Sequence, residues 1–145
     1  MNFWNMREKH IYLAGIIDGE GSISIEIQNA NKTCRKTDYY SIRLLVINTS
    51  KSLMDWLIQE FGGSLYKRKL IPNQKQCYKW EIFSFNAALI IEQIQEFLII
   101  KKRHAEILLE FLKTKPKDKY FVSKEVQDKR RLLYQELKQL TKTGC

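Results

Sequence analysis

The run Leu13-Ala14-Gly15-Ile16-Ile17-Asp18-Gly19-Glu20-Gly21 is followed at once by Ser22-Ile23-Ser24-Ile25-Glu26-Ile27-Gln28. The hydrophobic period changes at the join. From Glu8 to Gly19, apolar residues at Ile11, Tyr12, Leu13, Ile16 and Ile17 recur at helical spacing. Beyond Gly21 the alternation is strict, as in a strand with one buried face.

The same logic extends downstream. Asn29–Asp38 is polar and basic, a long hairpin loop. Tyr39–Ile47 reads as a second strand with Ile42, Leu44 and Val46 on one face. Ser50–Phe61 returns to helix, with Leu53, Trp56, Leu57 and Phe61 inward and Thr49 or Ser50 as N-cap. Gly62-Gly63 ends it. Ser64–Ile71 and Cys77–Phe83 then read as strands flanking the turn-like Pro72-Asn73-Gln74-Lys75. Asn86–Phe97 is an apolar helix with Ala87, Ile90, Ile94 and Phe97 in register. The order is αββαββα, an α+β fold with helices on one face of an antiparallel sheet. Extra C-terminal helices are expected over Lys102–Lys113 and Lys124–Leu140, broken at Lys115-Pro116-Lys117-Asp118.

Length and composition bound the function. The 145 residues, 44% of them hydrophobic, suit one domain with a core of its own. The cysteines, Cys34, Cys77 and Cys145, are odd in number and far apart, so neither a disulfide scaffold nor a structural zinc site is expected. No apolar run is long enough to span a bilayer, and Met1–His10 has no secretory h-region. Lys+Arg 25 against Asp+Glu 16 gives a net charge of +9, which suits a polyanionic partner, nucleic acid ahead of a membrane. There are 18 Lys to 7 Arg, although Arg is the better bidentate reader of phosphate and guanine. That bias, with 17 Ile, points to an AT-rich genome. An organelle-encoded gene is the expectation, with a bacterial or phage origin as the alternative.

The chemistry concentrates at the helix end. Gly15 and Gly19 are four apart and share a helical face, which lets another helix approach at backbone distance. Glycine costs a helix about 1 kcal/mol relative to alanine. Termination accounts for Gly19 and Gly21 but not for Gly15. Asp18 and Glu20 sit where the helix dipole disfavours acids. A divalent cation is one compensation, since Mg²⁺ takes one or two carboxylates and keeps several waters. The other is simple solvation of two exposed acids.

Leu13–Gly21, with the αββαββα order around it, resembles the LAGLIDADG homing endonucleases. The resemblance covers about two-thirds of the chain. It implies a sheet shaped as a DNA-binding saddle and, because one motif is present, a homodimer. The motif helices would pair through Leu13, Ala14, Gly15, Ile16, Asp18 and Gly19. The last acid of the motif, usually Asp in the family and Glu20 here, would bind Mg²⁺, with Mn²⁺ as a substitute. The main-chain carbonyl of Gly19 would be a second ligand, leaving Asp18 more structural than catalytic. Asn48, at the end of the second strand, matches the residue that positions a water, although it also stands where it can cap the next helix. Lys101 matches a lysine near the active site.

Strand parity selects the DNA face. Ile23, Ile25 and Ile27 pack inward, so Ser24, Glu26 and Gln28 point out. Ser41 and Arg43 follow on the second strand, Tyr66 and Arg68 on the third, Lys79 and Glu81 on the fourth. Such a face suits the major groove. Lys32, Arg35, Lys36 and Lys75 lie in loops and suit phosphates. A strand of eight residues spans about 27 Å, against about 34 Å for one DNA turn. A dimer thus covers roughly two turns, and its double-stranded target should be long and pseudo-palindromic. The rival expectations are a maturase that binds intron RNA without cutting and a DNA-binding regulator indifferent to Mg²⁺.

Overall fold

The computed structural model describes residues 3–28, 39–114 and 123–142. Helix α1 (Met6–Glu20) opens with a capping box: the Asn5 side chain accepts from the Glu8 amide, and the Glu8 carboxylate accepts from the Asn5 amide. It runs straight into β1 (Gly21–Gln28). Strand β2 (Tyr39–Asn48) pairs antiparallel with β1, placing Ser24 opposite Arg43 and Glu26 opposite Ser41. Helix α2 (Lys51–Phe61) is capped by the Ser50 hydroxyl, which accepts from the Leu53 amide. Strands β3 (Ser64–Lys67) and β4 (Tyr78–Phe83) complete an antiparallel sheet of order β1-β2-β4-β3. Helix α3 (Ser84–Ile94) ends in a 3₁₀ turn at Gln95–Phe97. Helices α4 (Lys102–Lys113) and α5 (Lys124–Lys142) follow.

One face of the sheet makes the core. Ile23, Ile25, Ile42, Leu44, Val46, Trp80 and Ile82 are buried on it, against Leu13, Ala14 and Ile17 of α1, Met54 and Leu57 of α2, and Ile90, Ile91 and Ile94 of α3. Burial of this apolar area is the main stabilising term. Trp80 also donates its indole N–H to the Gly62 carbonyl at 2.7 Å, tying the end of α2 to the sheet. Gly62 and Gly63 adopt positive φ, and a Cβ on Gly63 would lie 2.7 Å from the Glu81 carbonyl. The C-terminal helices close the β1–β2 end: Tyr40 packs on Phe111 and Tyr134, with ring centroids 5.3 and 6.0 Å away. Arg130 of α5 lies over the Phe111 ring and donates to the Thr114 hydroxyl at 3.1 Å. Its burial pulls the guanidinium pKa down.

The structure refines the sequence reading at three places in these elements. The third strand stops at Lys67 rather than Ile71, because β4 supplies no partner beyond Tyr78; Leu70 and Ile71 are exposed. Arg68 therefore lies just past β3, although its amide still bonds the Cys77 carbonyl at 2.9 Å. The Gln76 side-chain amide braces this end by donating to the Arg68 and Cys77 carbonyls. Of the apolar residues at helical spacing in α1, Ile11 and Tyr12 are exposed. Gly21 caps the end of α1, in line with termination there, and has ordinary extended backbone. Its requirement is space: a Cβ there would lie 2.6 Å from the Ile17 Cα and 2.7 Å from its Cδ1. Gly21→Ala is expected to destabilise the fold by about 1–3 kcal/mol through overpacking. A urea midpoint equal to wild type would show that the turn yields.

Candidate active site and nucleic-acid interface

The C-terminus of α1 gathers three of the residues singled out by sequence. Glu20 is exposed and accepts a short hydrogen bond on Oε2 from the Asn48 side-chain amide. The Asn48 carbonyl oxygen in turn accepts from the Ser50 amide at 2.7 Å. Asn48 thus links the acid to the entry of α2, and the cap proper is Ser50. Lys101 meets the same helix end. Its Nζ donates to the Asp18 carbonyl at 3.0 Å. A cation on a C-terminal carbonyl offsets the helix dipole that the acids oppose.

Asp18 is committed to structure. Its two carboxylate oxygens accept from the amides of Ile99, at 2.8 Å, and Lys101, at 2.9 Å. It fixes the segment between the 3₁₀ turn and α4, and so fixes where Lys101 emerges. Asp18→Ala is expected to cost about 1–3 kcal/mol through the lost charge-assisted bonds and to displace Lys101. A chemical-denaturation curve superposing on wild type would contradict this.

The glycine face is open. A Cβ on Gly15 or Gly19 meets nothing within 4 Å. Together with exposed Ile11, these residues form an uncovered stripe along α1, beside Tyr12, whose ring packs on Trp4 and Trp56. Leu13 and Ala14, expected at a helix–helix contact, are instead fully buried in the chain's own core. A helix wedged on a core turns a stripe about 100° wide inward, and here Leu13, Ala14 and Ile17 occupy it. Ile16 and Asp18 flank the open stripe and are half-buried.

The outer sheet face carries the expected polar side chains. Ser24, Ser41, Arg43 and Lys79 are half-buried there, and Glu26 and Tyr66 are exposed. Arg68 and Lys75 are exposed beyond β3. Gln28 is placed in β1 by its backbone, opposite Tyr39. Lys32, Arg35 and Lys36 lie outside the described residues. Glu81 faces outward as its parity requires, yet its side chain is only 9% exposed. Periodicity signals direction but not burial, so its environment was not readable from sequence. The described residues include no group of three or more His, Cys, Asp or Glu arranged to hold a metal.

A family profile described as LAGLIDADG endonuclease matches residues 13–115, from the motif to one residue past Thr114, which caps α4. The chain belongs to the LAGLIDADG endonuclease family. No curated protein sequence matches it. Among solved structures, the homing endonuclease I-CvuI, in complex with its target in the presence of calcium, is similar at 20% identity with a TM-score of 0.76. The match covers 92% of this chain and 82% of that one. The archaeal intron-encoded homing endonuclease I-Vdi141I, complexed with DNA, matches at 17% identity and TM-score 0.75, over 94% of this chain and 86% of that one. The meganuclease I-SmaMI, bound to uncleavable DNA, matches at 17% identity and TM-score 0.68. There 88% of this chain covers 44% of the longer one. The α+β order and the antiparallel sheet are thus those of LAGLIDADG endonucleases.

Proposed function

We propose that this homing-type endonuclease works as a homodimer that cuts both strands of a long, pseudo-palindromic DNA site, using Mg²⁺. The observation that carries the reading is the exposed Glu20 carboxylate at the foot of an open glycine stripe on α1. Two copies joined through that stripe by a twofold axis bring their Glu20 residues together. The donor set fits the ion: one chain offers the exposed Glu20 carboxylate with the neighbouring Gly19 carbonyl, and Mg²⁺ takes few protein ligands and retains waters. Mn²⁺ fits the same oxygen donors.

Glu20 and the Gly19 carbonyl would hold the ion, which would supply Lewis acidity for phosphodiester hydrolysis. The chain's own groups do the rest. Asn48 orients the Glu20 carboxylate through its amide. Lys101, held at the helix end, supplies positive charge toward the phosphate. Asp18 keeps Lys101 in place. The outer sheet face supplies base contacts, and the flanking lysines and arginines supply phosphate contacts.

The test selects bound duplexes from a randomised DNA library in EDTA, then incubates the selected sequence with Mg²⁺. A symmetric consensus that is linearised only with Mg²⁺ supports the reading. Tight, metal-indifferent binding without cleavage would replace it with a regulator, and selective binding of intron RNA without cleavage would replace it with a maturase.

A further inference from the structure

A line of hydrogen bonds and charge contacts crosses all four strands on the outer sheet face. The Ser24 hydroxyl donates to Glu26 Oε1 at 3.2 Å. The same oxygen accepts from Arg43 Nη1 at 3.1 Å. Arg43 Nε donates to Glu81 Oε2 at 3.1 Å. Lys79 Nζ lies 3.5 Å from Glu81 Oε1 and 5.0 Å from the centre of the Tyr66 ring. The line runs β1, β2, β4, β3, the order of the sheet.

Two features set this line apart from an ordinary solvated face. Glu81 is the buried member, 9% exposed, under Arg43 at 23% and Lys79 at 31%. A carboxylate is rarely buried on a polar face without paired cations. Its charge and that of Glu26 cancel those of Arg43 and Lys79, so the line adds little to the attraction for phosphates. What it does is immobilise. Arg43 is gripped at Nε and at Nη1, and Nη2 has no hydrogen bond among the described residues. A guanidinium held at two of its nitrogens with the third turned free is preorganised for a base edge.

We propose that Glu81 is a positioning residue for base recognition. It holds Arg43 as a rigid fork that reads one base pair in each half-site, with Lys79 set beside it. This rests on the DNA-cleaving reading above.

The experiment compares sequences selected from the randomised duplex library by wild type, Glu81→Gln and Arg43→Lys, each at several salt concentrations. Glu81→Gln keeps the side-chain volume and removes the charge. It is expected to flatten the preference at one position per half-site by about tenfold or more. Affinity for random DNA should hold or rise, because the net charge rises by one. Arg43→Lys keeps the charge and loses the planar fork; it should flatten the same position with an unchanged salt slope. If Glu81→Gln does not fold, Arg43→Lys alone decides. A folded Glu81→Gln, or an Arg43→Lys, with the wild-type preference profile would overturn the proposal. So would a uniform loss of affinity for every sequence, which marks a purely structural carboxylate. A wild-type protein with no sequence preference would overturn the DNA-cleaving reading as well, so the two failures are distinguishable.

Discussion

Glu20→Gln is expected to abolish cleavage while dimerisation and DNA binding stay near wild type. The side chain is exposed at the helix end, so its loss of charge leaves no buried group unsatisfied. Glutamine still presents a carbonyl oxygen to the Asn48 amide, so the hydrogen bond that orients residue 20 survives. What disappears is the negative charge that a hard divalent cation requires of its ligand. Cleavage of the selected site with Mg²⁺, beside a binding isotherm in EDTA, separates the two effects. Cutting by Glu20→Gln at near the wild-type rate would remove Glu20 from the reaction.

Gly15→Leu is expected to convert the dimer to a folded monomer. Within one chain a Cβ on Gly15 meets nothing within 4 Å, so the monomer has room for a side chain to begin there. Replacing glycine in mid-helix also removes a penalty of about 1 kcal/mol. The monomer should therefore be no less stable than before. Across a twofold contact the same side chain enters twice. Overpacking costs about 1–3 kcal/mol per insertion, hence about 2–6 kcal/mol for the pair. That weakens the dimer by one to four orders of magnitude. Sedimentation velocity with a thermal melt reads both quantities. A native-like dimer at wild-type affinity would leave Gly15 without its explanation.

How much of this was readable in advance follows the range of each interaction. The switch of period at Gly21 placed α1 and β1, and strand parity placed Ser24, Glu26, Arg43 and Lys79 on the outer face, because both are local properties of the chain. The end of β3 was not readable. Leu70 and Ile71 resume apolar residues after Lys67-Arg68-Lys69, and only the register with β4 shows that their partner is missing. Nor was the contact face of α1: the spacing of Leu13, Ala14 and Gly15 permits several rotations, and packing against the sheet selects one. The Asp18 bonds join residues 81 and 83 apart, beyond any local pattern. The resemblance anticipated a structural role for Asp18, and these bonds supply a physical basis for it. Glu81 shows the reverse case. Its direction was readable, and its burial between two cations required the neighbouring strands.

The most direct test of the account is to map both cut ends on the selected DNA site after incubation with Mg²⁺. One break in each strand is expected, related by the site's pseudo-twofold axis, in a reaction that EDTA stops. Cleavage without a divalent cation, or a cut confined to one strand by a protein that sediments as a monomer, would contradict it.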